Sequence, residues 1–193
     1  MAVKVGVVVN RIFTSRTYIL STDEVEGVWL VDCGDMDKVL EKIERRSIKG
    51  VLLSHAHYDH IYGLPQLMAL FPDAIIYTNT FGKEALANDR INMSRYHEDS
   101  IIVSSEKVLI CEEGAVIPMF DGVEAVVYET PGHNPSCLTF EIENYLFTGD
   151  AYIPGVAVVT NLPKGDKALA VESEKRILEL AKGKEIYPGH EVM

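Results

Sequence analysis

Val51-Leu52-Leu53-Ser54-His55-Ala56-His57-Tyr58-Asp59-His60 opens on three apolar residues and closes on three histidines and an aspartate within six positions. The apolar run fits a buried strand, and the polar residues follow it where a strand hands over to a loop. Side chains two apart on an extended segment share a face, so His55 and His57 can grip one ion together. Asp59 and His60, where the chain turns towards a helix, can reach a second position nearby. Imidazole nitrogen and carboxylate oxygen are ligands for zinc, iron or manganese.

Outward from this stretch, three further motifs repeat the arrangement. Pro131-Gly132-His133 follows an expected strand over Ala125–Glu129, and Thr148-Gly149-Asp150 follows one over Tyr145–Thr148. Tyr187-Pro188-Gly189-His190 follows the last strand, centred on Ile186-Tyr187. Five of the chain's six histidines fall in these motifs. Each motif stands at the carboxyl end of a strand, where loops from neighbouring strands can converge on one cleft. Seven ligand-type groups (His55, His57, Asp59, His60, His133, Asp150 and His190) exceed what one tetrahedral ion uses. Two ions about 3.5–4 Å apart would use them all. The expected cofactor is therefore a pair of divalent ions, zinc first, with iron or manganese as alternatives.

The remaining pattern supplies a scaffold. Strands are expected over Val3–Val9, Thr17–Ser21, Gly27–Val31, Ala74–Thr78, Val108–Cys111, Val116–Phe120 and Leu138–Ile142. Helices are expected over Asp35–Arg46, with Asp35 as cap, over Leu64–Phe71 and Lys83–Asn88, and over Asp166–Lys182 with Leu169, Ile177, Leu178 and Leu180 near one face. Residues 88–105 are polar and read as loop or broken helix. Strand groups interleaved with helices imply an α/β or α+β layered fold, expected as one domain over residues 1–193.

Composition narrows the function classes. A net charge of −11, with no basic stripe, argues against nucleic acid as partner and in favour of a small molecule. Three widely spaced cysteines, Cys33, Cys111 and Cys137, suggest neither a disulfide framework nor a thiolate site. Free thiols fit the cytoplasm. The apolar opening Val3–Val9 is too short for a signal peptide, and no run approaches the ~20 residues of a membrane span, so no membrane partner is expected.

The run from His55 to His60 resembles the H-x-H-x-D-H signature of the metallo-β-lactamase superfamily. Thr130-Pro131-Gly132-His133, Thr148-Gly149-Asp150 and Pro188-Gly189-His190 resemble its later motifs, in the family's order. The resemblance implies a four-layer αββα sandwich with metals at one edge between two sheets. It implies a first metal on His55, His57 and His133, a second on Asp59, His60 and His190, and Asp150 bridging both. The pattern is most similar to the glyoxalase II branch. The sequence ends three residues after His190, so the additional helical domain that grips glutathione in those enzymes is not expected.

The implied chemistry is hydrolysis of a small thioester, lactone or ester by hydroxide held between two metals, with Asp59 both ligating and accepting its proton. Tyr152, two residues beyond Asp150, is a candidate for substrate binding at the developing oxyanion. His97 and Lys164 are read as exposed residues, and Cys137 as a core thiol. Two alternatives stand beside the hydrolase. Persulfide dioxygenases resemble this framework but use one iron held by two histidines and an aspartate. A non-catalytic metal-binding scaffold predicts eroded ligands, and no ligand position here is eroded.

Overall fold

Every residue of Gly27–Val31 (β3) is buried, which an alternating strand achieves only when both of its faces are covered. Val28 and Leu30 face one side and pack with Met36, Val39 and Ile43 of the helix Met36–Ile43 (α1). Trp29 and Val31 face the other and join Phe140 and Phe147. The computed structural model, which describes residues 2–191, extends this division across those residues.

The first sheet runs in the order Lys4–Val9 (β1), Arg16–Ser21 (β2), β3, Ser47–Leu52 (β4), Ile75–Thr78 (β5) and Val108–Ile110 (β6). β1 to β3 pair antiparallel, and β3 to β6 pair parallel. The second sheet holds Val116–Phe120 (β7), Val123–Glu129 (β8), Leu138–Ile142 (β9), Tyr145–Gly149 (β10) and Glu185–Pro188 (β11), with β7 and β11 at its edges. Only β10 and β11 pair parallel there. Helices α1, Leu64–Leu70 (α3) and Thr80–Leu86 (α4) close the outer face of the first sheet. Lys167–Leu180 (α5) lays Ile177 on Leu146 and Cys137 behind the second. Helix, sheet, sheet, helix is the four-layer sandwich that the resemblance implied.

Strand direction positions the site. β4 runs parallel to β3 and β5, while β8, β10 and β11 share one direction in the second sheet. The loops after β4, β8, β10 and β11 carry His55–His60, His133, Asp150 and His190 respectively. A one-turn helix, Tyr58–Ile61 (α2), begins inside the first motif and carries Asp59 and His60.

The structure corrects several boundaries. Asp35 occupies the cap position of α1, but its side chain does not cap the helix. It accepts instead from the Tyr62 hydroxyl at 2.7 Å, the Arg11 amide at 2.8 Å and Lys38 Nζ at 2.9 Å. α4 starts three residues earlier than Lys83 because Asn79 Oδ1 accepts from the Gly82 amide at 2.8 Å and caps it there. Asp166 does cap α5, accepting from the amides of Ala168 and Leu169.

The inward face of α5 takes Ile177 and Leu180 from the expected face but neither Leu169 nor Leu178. Ala170, Ser173 and Ile177 are buried, while Leu169 and Leu178 are exposed. Close approach explains this, since a Cβ on Gly132, which has φ 139°, would lie 2.3 Å from the Ala170 amide nitrogen. Only small side chains fit at that end of the contact.

Residues 88–105 contain a single 3₁₀ turn, Ser94–Tyr96. Buried Asn92 donates to the carbonyls of Ala85 and Ile101 at 3.0 and 2.9 Å, and Ile101 and Val103 sink into the helix-side core. The segment is organised by polar side chains rather than by periodicity.

These positions separate two neighbours on α5. Ile177→Ala should cost about 2–4 kcal/mol in urea unfolding, as expected for a buried isoleucine. Leu178→Ala should stay within about 0.5 kcal/mol, as exposed sites do. Equal costs for the two variants would place α5 on the wrong face.

Candidate metal centre

A buried imidazole keeps a fixed orientation only if its ring nitrogens have partners. His60 donates from Nδ1 to Asp32 Oδ2 at 2.8 Å. His133 donates from Nδ1 to the Val159 carbonyl at 2.8 Å, and His190 from Nδ1 to the Phe13 carbonyl at 2.9 Å. Carboxylates and carbonyls only accept, so in these three rings Nδ1 carries the proton and Nε2 is turned inward. Ser54 Oγ gives its proton to Asp32 at 2.7 Å and lies 3.2 Å from His55 Nδ1, which fixes the same tautomer in His55. His57 is turned the other way: its Nε2 accepts from the Asn134 amide nitrogen at 3.0 Å, so its Nδ1, which faces inward, carries the ring proton.

Five imidazole nitrogens therefore face one space, together with Asp59 and Asp150. His57 Nδ1 lies 2.9 Å from His133 Nε2, and His60 Nε2 lies 3.3 Å from His190 Nε2. His55–His57–His133 and Asp59–His60–His190 form two sets, linked by a third, His55–His60–Asp150, with ligand atoms in each set within 4.8 Å of one another. Asp150 stands between them, Oδ2 3.6 Å from His133 and 3.2 Å from His190, Oδ1 3.5 Å from His60. Gly189 lets it sit there, because a Cβ at that position would lie 2.2 Å from Asp150 Oδ1.

Two buried atoms test whether a cation fits. His55 Nε2 and Asp150 Oδ1 have no hydrogen-bond partner, though leaving a buried polar atom unpaired costs about 1–3 kcal/mol. A lone pair on nitrogen and a carboxylate oxygen both suit a divalent ion, so the donor set fits metals.

Proton affinities divide the site. Burial, then the neighbouring imidazoles, pushes His55 well below the usual histidine range, and the same causes bring His57 to about 4. Burial also acts to lower His60 and His190. The carboxylates outweigh it, holding His60 well above the ordinary value and His190 at about 10. Burial would raise Asp59 and Asp150, yet His60 and His190 keep both below the usual carboxylate range.

A cleft of about 320 Å³ opens over these groups. Its non-ligand walls are Phe13, Tyr58, Met93, His97, Val159 and Leu162. His97, expected to be exposed, is half-buried and stacks on Tyr58 with ring centroids 4.0 Å apart. Lys164 is exposed, and Cys137 is buried. Tyr152 is not brought to the cleft; it packs with Leu146, Ala151 and Ile177 under α5. Sequence reasoning missed Asp32, which orients His60 and holds Ser54. The available signal was its position immediately after β3, matching that of Asp150 after β10.

A family model described as the metallo-beta-lactamase superfamily matches residues 15–190. The chain belongs to this superfamily. Among metallo-beta-lactamase relatives, a hydroxyacylglutathione hydrolase of Tolumonas auensis is 26% identical over 84% of this chain and 56% of its own length. This chain thus spans little more than half of that enzyme. Solved structures of the same fold include the BLEG-1 B3 metallo-beta-lactamase, with TM-score 0.85, 24% identity and coverage of 98% of this chain and 92% of that one. TTHA1623 in a di-iron-bound form follows, with TM-score 0.81, 24% identity and coverage of 97% and 92%.

The carboxylates favour a proton on His60 and His190, which a metal ion taken by those rings would displace. Loading zinc near pH 7 should release about two protons per chain from these rings, because metal ligands bind deprotonated, and about one more from any metal-bound water that ionises. Affinity should therefore rise with pH until His190 titrates at about 10. Calorimetry in buffers of different ionisation enthalpy measures the count, and zero release would contradict these assignments.

Proposed function

We propose that this chain is a two-metal hydrolase of a small thioester, lactone or ester, with zinc as the metal. One observation carries the reading: two ligand sets, each of three groups, share Asp150 between them. A site for one ion would need only the first set, and His60 and His190 would then have no reason to be pinned by Asp32 and the Phe13 carbonyl. His55, His57 and His133 would hold one ion, Asp59, His60 and His190 the other. Iron is the alternative metal, in line with the di-iron form of TTHA1623.

Bound there, two divalent ions supply a water ionised near neutral pH and a positive charge beside the substrate carbonyl. The chain's own residues do the rest. Asp59 lines the cleft and is held ionised beside His60 and His190, so its carboxylate can accept a hydrogen bond from the water and orient it. Asp32 and Ser54 keep His60 and His55 from rotating. Tyr58 and Phe13 wall the cleft and limit bulk water around the carbonyl. The substrate is proposed to be a free small molecule, since the charge of −11 disfavours nucleic acid. Three buried free thiols, Cys33, Cys111 and Cys137, support a cytoplasmic setting.

Metal analysis of protein purified without added metal, followed by a thioester and lactone panel, tests the reading. About two zinc ions per chain and turnover of at least one substrate are expected for a two-metal hydrolase. Asp150→Ala should lower metal content to about one or less and activity at least a hundredfold, consistent with loss of a bridging ligand. One iron per chain with oxygen uptake on a persulfide would sink the proposal.

A further inference from the structure

Among the described residues, no lysine or arginine side chain stands in the cleft that would admit substrate. Beyond five of the ligand-type groups (His57, Asp59, His133, Asp150 and His190) its walls are aromatic or aliphatic apart from His97. A smaller hollow that also touches His133 and Asp150 is walled by Ile153, Val156, Ala157, Val158 and Val159. Apolar side chains therefore border the ligand cluster in both hollows.

The rim residue is Phe13, which leaves 64% of its surface in water. It sits in the β1–β2 connection at φ 50°, followed by Thr14 at φ 55°, two successive left-handed residues without a glycine. A bulky residue there is strained and persists only where its surroundings hold it. The holding contacts are the hydrogen bond from His190 to its carbonyl and the edge of its ring against His97, with centroids 5.8 Å apart. An aromatic ring kept exposed and in fixed position over an apolar cleft offers a surface to a ligand.

Carboxylate-bearing substrates such as glutathione thioesters are normally gripped by arginine or lysine, through charge-assisted hydrogen bonds. Here the net charge of −11 adds general repulsion of anions. We infer that the substrate is uncharged and apolar next to its reacting carbonyl, with an alkyl or aryl acyl group seated between Phe13, Met93 and Leu162. The inference rests on the hydrolase reading for its chemistry, while the wall itself can be probed without turnover.

Two experiments on zinc-loaded protein test it. In the first, kcat/KM is measured for acetyl, butanoyl, hexanoyl and succinyl thioesters of one thiol. It should rise about three- to fourfold per added methylene, the value expected for burying each one, and succinyl should fall below butanoyl. Phe13→Ala should reduce the hexanoyl-to-acetyl ratio about tenfold, and Phe13→Leu should restore most of it, since the lost ring is what the chain packs on.

The second measures binding of hexanethiol and 3-mercaptopropionate by calorimetry; the sulfur reports the metals and the tail reports the wall. Hexanethiol should bind more tightly. Absence of turnover with this order retained would refute the hydrolase and leave the apolar wall standing. Turnover with succinyl preferred, or with no dependence on chain length, would overturn the wall and leave the hydrolase.

Discussion

An imidazole withdrawn from water must find a partner for each ring nitrogen or lose free energy for the one left over. Four of the five clustered histidines here spend Nδ1 on a group outside the cluster: a carboxylate, a hydroxyl or a backbone carbonyl. His57 spends Nε2 on Asn134 instead. The inward-facing nitrogens are thereby aimed at a common space before any ligand arrives. Without those outer contacts the rings would be free to turn, and the two ligand sets would dissolve into a loose group of polar side chains.

The fold exists, in effect, to bring those outer partners together. Asp32 comes from the end of β3, the Phe13 carbonyl from the β1–β2 turn, and the Val159 carbonyl from the long connection before α5. Three separate segments thus hold three rings. They meet because β4 in one sheet and β8, β10 and β11 in the other end at the same edge of the sandwich, where a shared core of Phe140, Phe147, Trp29 and Leu52 fixes the spacing between sheets. Ser15 fastens the turn further, its hydroxyl donating to the Asp59 carbonyl at 2.7 Å and its backbone bridging to His190.

Much of this was legible in the sequence, for a physical reason. Strand alternation and short-range histidine spacing are local properties, so the strands, the seven ligand-type groups and the layered class could be read from Gly27–Val31 and His55–His60 outward. What escaped depended on contacts between distant residues. Asp32 and Phe13 act on rings 28 and 177 positions away, and no local pattern links them. The face of α5 was read only in part, because Leu169 and Leu178 suggested burial while the approach of Gly132 to Ala170 demanded small residues. Tyr152 was misjudged similarly, because nearness to Asp150 in sequence does not fix the side of the strand end on which a ring packs.

Phe13 joins two tasks in one residue. Its backbone steadies a ring on the inside while its side chain shapes the entrance. Any drift of the turn that reshaped the entrance would also loosen the ring, so the shape of the entrance and the aim of His190 are inherited as one trait. Diversification of this scaffold would then proceed more freely through Met93 or Leu162, whose side chains meet the cleft from other segments.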